Sequence, residues 1–282
     1  SDLMETSVSH QAYEASRLDD SETHKMLSKT YPYTILITED DDEVRCFLER
    51  ELSPHFKTRT AANGKDALRV LEEEEISLVV SDVMMPEMNG FELCRTIKSQ
   101  LPFSHIPVIL LTALTDERQR IFGITGGADD YIQKPFHTDY VKIKIIHLLQ
   151  ERQKLRERLL EKLRDNKLLL SEPEKVESID DAFLRKFAEQ IEAVYADPEY
   201  NVEKLSETLG LSRGHLHRKI KELTGTAPVE FLRTYRLNKA TQLLRQNAYT
   251  VSEVAYRTGF SSPAYFSKCF KAVYGVTPTE YQ

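Results

Sequence analysis

Cysteine is scarce. Cys46, Cys94 and Cys269 are the three in 282 residues, scattered and without metal-ligand spacing. That argues against a disulfide framework or a zinc site, and is expected of reduced thiols in a cytoplasmic protein. Long apolar runs are also missing. None approaches the roughly 20 residues that span a bilayer, and no charged-then-apolar leader pattern opens the chain, so this stretch is expected to make no membrane contact. Glycine and proline are absent from Tyr140 to Leu170. With the usual breakers gone, one long helix is predicted there, ended by Ser171-Glu-Pro173.

What is present is an ordinary globular balance, 40% hydrophobic and 29% charged, and enough length for about two domains at roughly 150 residues each. The net charge of −7 is uneven. From Phe183 to Gln282, 14 Lys and Arg face 10 Asp and Glu, a net of +4, which leaves 24 against 35, or −11, to the rest. An acidic front and a mildly basic back imply different partners.

Residues 1–33 are polar and Ser-rich and read as a lead-in. Then apolar runs alternate with helical stretches: TILIT then Glu43–Ser53, FKTRT then Gly64–Glu73, LVVSD then Gly90–Gln100, PVILLTA then Asp116–Ile124, and DDYIQKP then a helix from about Tyr140. Five strand–helix units predict an α/β domain over 34–150, a doubly wound parallel five-stranded sheet of flavodoxin-like type. Val141, Ile145, Leu148, Leu155 and Leu159 trace a heptad seam interrupted by Arg152. It marks 151–180 either as a helical linker that pairs two chains into a homodimer or as a solvated linker helix. An all-α domain over 181–282 completes the chain.

Sites in open parallel sheets form at the carboxyl ends of strands. Here those ends carry Glu39 and Asp40, then Asp82, then Thr112, then Lys134. Crowded carboxylates repel and need a cation, and hard oxygen donors without thiolate or imidazole suit Mg²⁺. A carboxylate beside that ion, with an ammonium and a hydroxyl for incoming oxygens, suits phosphoryl transfer, which depends on positioning and charge neutralisation. Singly, each residue also has an ordinary structural reading as a cap or solvated charge; together at successive strand ends they make a site. LITEDDD, LVVSDVMMPEMNGFELC, LLTA and YIQKPF resemble the response-regulator receiver domain over Thr34 to Gln150. The resemblance implies Asp82 as phosphoacceptor and an acidic Mg²⁺ pocket of Glu39 and Asp40. It further implies Asp40, Asp82 and the Met84 backbone carbonyl as ligands, Thr112 and Lys134 on the phosphoryl group, and Tyr131 as the aromatic switch.

The back half repeats itself. Val202 aligns with Val251 at an offset of 49, and after one added residue Lys221, Gly225 and Pro228 align with Lys271, Gly275 and Pro278. Each copy reads as helix, tight turn, helix. A small residue marks the crossing (Ser206, Ala255), a left-handed glycine the turn (Gly210, Gly259), and a serine caps the next helix. This predicts two helix-turn-helix units on double-stranded DNA. In the first second-helix, Leu216, Ile220 and Leu223 should be buried, with Arg213, Gly214, His217 and Arg218 toward DNA and Lys219 and Lys221 on phosphates or in solvent. In the second, Phe266, Phe270 and Val273 should be buried, with Ala264, Ser267 and Lys268 toward DNA and Ser261 near a phosphate. His215 and His217, at i, i+2, point apart and make no metal pair. VSEVAYRTGFSSPAYFSKCFKAVYGVTPTEY and TGTAPVEFLRTYRLNKATQLL resemble the AraC/XylS family.

Together these predict a phosphorylation-controlled transcription regulator of a two-component system, itself not an enzyme, served by a histidine kinase. The order of parts resembles the C-terminal end of hybrid regulators, in which sensor and kinase precede the receiver in one polypeptide, often for carbohydrate uptake. On that resemblance the chain is a piece of a longer protein whose parent is anchored in the inner membrane. The competing reading is a phosphoryl sink whose helical domain binds a protein rather than DNA.

Overall fold

The computed structural model describes residues 25–113, 127–164 and 178–282, with backbone alone for 158–164. The expected helix over Asp116–Ile124, the side chain of Leu159 in the seam and the Ser171–Pro173 break lie outside what is described. The described residues fall into two compact units that divide after Lys154.

In the first unit, strands β1 (Thr34–Thr38), β2 (Lys57–Ala61), β3 (Leu78–Asp82), β4 (Val108–Thr112) and β5 (Asp130–Gln133) form one parallel sheet ordered 2-1-3-4-5. Side chains alternate across it, as the pleat demands. Ile35, Ile37, Val80, Ile109 and Leu111 pack on one face with Leu48 and Leu52 of α1 (Asp42–Leu52). Val141, Ile145, Ile146 and Leu149 of α4 (Thr138–Arg164) cover the same face. Leu36, Val79, Val108 and Leu110 pack on the other, against α2 (Gly64–Glu73) and α3 (Gly90–Ser99). The first part of the heptad seam is therefore consumed by the sheet, while Leu155 is 66% exposed. Arg152, which interrupts the seam, reaches Asp129 Oδ1 at 3.2 Å.

Local chemistry starts each helix. Asp41 caps α1 by accepting from the Glu43 and Val44 amides, and Asn89 with Glu92 forms a capping box on α3. One glycine is dictated by space. A Cβ on Gly90 would lie 2.2 Å from the carbonyl oxygen of Asp82, so only glycine lets α3 begin against the end of β3.

The second unit is helical: α5 (Ile179–Val194), α6 (Val202–Leu209), α7 (Arg213–Thr224), α8 (Pro228–Arg245), α9 (Val251–Arg257), α10 (Pro263–Tyr274) and α11 (Pro278–Tyr281). Phe187, Ile191, Leu205, Leu216, Ile220 and Phe231 are buried around the first helix-turn-helix. Leu237, Ala240, Leu244, Val254, Phe266 and Phe270 form a core around the second. Gly210 and Gly259 turn with φ of 68° and 79°, and Ser212 and Ser262 cap α7 and α10. Ser206 and Ala255 are both buried at the crossings; the Ser206 hydroxyl donates to the Glu203 carbonyl at 2.8 Å, which satisfies it within its own helix. No helix among the described residues is long and apolar enough to cross a membrane.

Candidate functional site

Register alone brings the acidic rim together. Thr38 pairs with Ser81 across β1 and β3, so the next residues, Glu39 and Asp82, emerge side by side. One carboxylate oxygen from each of Glu39, Asp40 and Asp82 lies within 4.8 Å of the others. Glu39 and Asp82 are 2% and 6% exposed, whereas Asp40 is open to solvent. The neighbouring acids of LITEDDD have other work: Asp41 caps α1 and Asp42 pairs with Arg45.

Lys134 closes the rim from the end of β5. Its Nζ is 2.6 Å from Asp82 Oδ1 and 2.9 Å from Glu39 Oε2. The Lys134 amide donates to the Thr112 carbonyl at 2.7 Å, which holds the β4 and β5 ends level. The Met84 amide donates to Asp82 Oδ2 at 3.0 Å, so the Met84 main chain lies against the carboxylate. Arg45 was not singled out in the sequence; its guanidinium donates to the Glu39 carbonyl at 2.7 Å and fixes the acidic turn from beneath.

The electrostatics follow from this crowding. Burial pushes the Glu39 carboxyl above its ordinary value, helped by the Asp82 charge, while the Lys134 hydrogen bond opposes it. Burial would lower the Lys134 ammonium, but its hydrogen bonds to Asp82 and Glu39 outweigh that and hold it raised. Burial, with Cys94 beside it, pushes the half-buried Tyr131 phenol up to about 12, so it remains a neutral hydroxyl. The Lys134 ammonium pairs with two of the three carboxylates, Glu39 and Asp82. Oxygen donors with that charge deficit fit a hard divalent cation, and this acidic triad is of the receiver Mg²⁺ type.

On the helical unit, Arg213, Gly214, His217, Ser261, Ala264 and Lys268 are exposed and Arg218 and Ser267 are half-buried. Leu216, Ile220, Phe266 and Phe270 are fully buried. Three expectations change. Leu223 is only half-buried, and Val273 is 51% exposed among the described residues. Lys219 is neither solvated nor available to a phosphate: it is 0% exposed, its Nζ 2.6 Å from Asp180 Oδ1 and 5.1 Å from the centre of the Phe183 ring.

Comparison with known proteins agrees with both halves. Residues 35–146 match the family described as response regulator receiver domain, and residues 205–282 match a helix-turn-helix domain family. Histidine kinase P4 of Formosa agariphila is 37% identical over 265 residues, 94% of this chain and 19% of that kinase. The transcriptional regulatory protein GltR of Pseudomonas aeruginosa is 43% identical over 121 residues, 43% of this chain and 50% of GltR. Among solved structures, the signal receiver domain of a signal transduction histidine kinase from Syntrophus aciditrophicus shares 38% identity, with 42% of this chain and 91% of that one covered and a TM-score of 0.41. The chain thus spans about half of GltR and a fifth of the kinase. It carries a response-regulator receiver domain followed by an AraC-type helix-turn-helix domain, and it is related to a histidine kinase along 94% of its length.

Proposed function

We propose that this chain is a phosphorylation-controlled, sequence-specific transcription regulator. The receiver occupies 34–150, the helical linker 151–180 and the DNA-binding domain 181–282. A histidine kinase, in the same polypeptide as in the Formosa relative or in a partner, supplies the phosphoryl group. The carrying observation is the rim itself, where Asp82 meets both Lys134 and the acidic pair.

Asp82 is the phosphoacceptor. One carboxylate oxygen attacks phosphorus, the donor's bond to phosphorus breaks, and an acyl phosphate remains on Asp82. Asp40, Asp82 and the Met84 carbonyl would hold Mg²⁺, with Glu39 completing the pocket; when bound, the ion neutralises charge on the transferring oxygens. Lys134 moves from carboxylate pairing to the new phosphoryl oxygens, and the Thr112 hydroxyl donates to another. The added charge of about −1.5 to −2 draws Thr112 in, and Tyr131 follows into the space it leaves. That biases the face built from β5 and α4, and so the pairing of two chains through α4 or their hold on DNA.

In the helical domain, Arg213, Gly214, His217 and Arg218 contact the first major groove, and Ala264, Ser267 and Lys268 the second, with Ser261 near a phosphate. Arginine suits guanine edges, and Gly214 admits the backbone. The second helix offers fewer hydrogen-bonding groups, so it anchors more than it reads. The regulator works in the cytoplasm, and its setting is carbohydrate utilisation.

Labelling with acetyl phosphate tests the first step. The chain should take up label in the presence of Mg²⁺, lose it on chelation, and take up none as Asp82→Asn; label persisting on that variant at the original level would refute the assignment.

A further inference from the structure

A groove of about 270 Å³ lies between the two helix-turn-helix units. Its walls include Glu203 of α6, Arg213 at the start of α7, Arg233 and Arg236 of α8, and Ser261 and Tyr265 at the start of α10. We propose that this groove is a clamp for a DNA backbone phosphate, with Arg233 as its central contact. The inference rests on the DNA-binding reading and adds a contact that neither recognition helix supplies.

Charge points to an anion. Three arginines face one lining carboxylate, Glu203. Arg213 pairs with that carboxylate at 2.8 Å, with both side chains more than half exposed, and such a surface pair is weak enough for a phosphate to replace. Arg236 is fixed by neutral acceptors, its Nε donating to the Tyr195 carbonyl at 2.8 Å and its terminal nitrogen to the Asp197 carbonyl at 2.6 Å. Its charge is thus held beside the groove without a carboxylate partner in those bonds. Arg233 lines the groove together with Tyr265 and stands 3.4 Å from Glu230, which is 56% exposed. A planar guanidinium so positioned suits two phosphate oxygens.

Position points to the duplex. The groove falls just below the roughly 300–1,000 Å³ of small-molecule pockets. Arg213 and Ser261 belong to the two separate reading segments and line this one groove. A duplex engaging both segments must lay the backbone between its adjacent major grooves across the strip that joins them, which is the Arg233 face of α8. Phosphate contacts of this kind set register and carry no sequence preference.

The test measures affinity of the full chain for duplex DNA of random sequence between about 50 and 200 mM salt. Arg233→Gln should flatten the logarithmic salt slope by about 0.9 and weaken all sequences alike, while Arg233→Lys should keep the slope. Glu230→Gln, a change at an exposed side chain, should tighten binding by removing the competing carboxylate. An unchanged slope in Arg233→Gln beside a salt-dependent parent overturns the clamp alone, as does a loss confined to one sequence, which would make Arg233 a base reader. Unchanged affinity in Glu230→Gln also counts against it. A flat parent curve overturns the DNA-binding reading, and the clamp with it.

Discussion

The first and second helix-turn-helix units turn through left-handed glycines of nearly equal φ, yet the two turns sit in different surroundings. Gly210 has open space around it. A Cβ on Gly259 would lie 2.1 Å from the Tyr195 carbonyl oxygen and 2.8 Å from Arg236 Nε. The second helices differ in the same way. Lys219 of α7 and Cys269 of α10 occupy equivalent positions, 50 residues apart. One is a buried cation tied to Asp180; the other is a buried thiol in an apolar cluster that includes Phe266 and Phe270. Repeated sequence grammar specifies how each copy turns and caps, while the neighbours decide what each copy can tolerate.

The largest expected contrast is at the turns. Gly259→Ala should cost roughly 3–5 kcal/mol, because the left-handed penalty adds to a collision with main chain. Gly210→Ala should cost about 1 kcal/mol. Urea denaturation of the two variants measures both, and equal losses would break the comparison.

The buried cation comes next. Lys219→Met takes the ammonium away from Asp180 and should cost about 2 kcal/mol, less than the 3–5 for a fully buried pair because water reaches the acid. Adding Asp180→Asn should recover much of the loss. Cys269→Val, at the matching position, should cost under about 1.5 kcal/mol. A double variant as unstable as Lys219→Met would show that packing, not charge, holds the first unit.

The smallest effect separates the caps by pH. Asn201 caps α6 with an amide oxygen, which does not titrate. Thr250 and Glu253 form a capping box on α9, and the hydrogen bonds from Thr250 hold the Glu253 carboxyl below its ordinary value. Stability from a depressed carboxyl is present above its unfolded value and is lost as pH falls through the folded one. Hydrogen exchange on α9 should therefore quicken below about pH 4 more than on α6, and Glu253→Gln should remove that difference.

How much of this was legible depends on the distance over which each feature is built. The rim was readable because its residues each end a strand, and a parallel sheet aligns strand ends: Glu39 and Lys134 meet across 95 positions of sequence. The helix-turn-helix units were readable because glycine turns and serine caps are local. Lys219 was not, since its partner is on α5, 39 residues upstream, and only tertiary packing reveals it. Val273 continued an apolar period, yet no helix among the described residues buries it. Gly90 was visible as the start of a helical stretch, but its necessity comes from the Asp82 carbonyl it must approach.

The central claim is that a phosphoryl group on Asp82 is felt by the helices that bind DNA. The direct measurement is DNA affinity of the full chain with and without acetyl phosphate and Mg²⁺, beside Asp82→Asn. The account predicts a shift of about fivefold or more in the parent and none in the variant. An equal shift in both, or no shift in a parent shown to be phosphorylated, would contradict it.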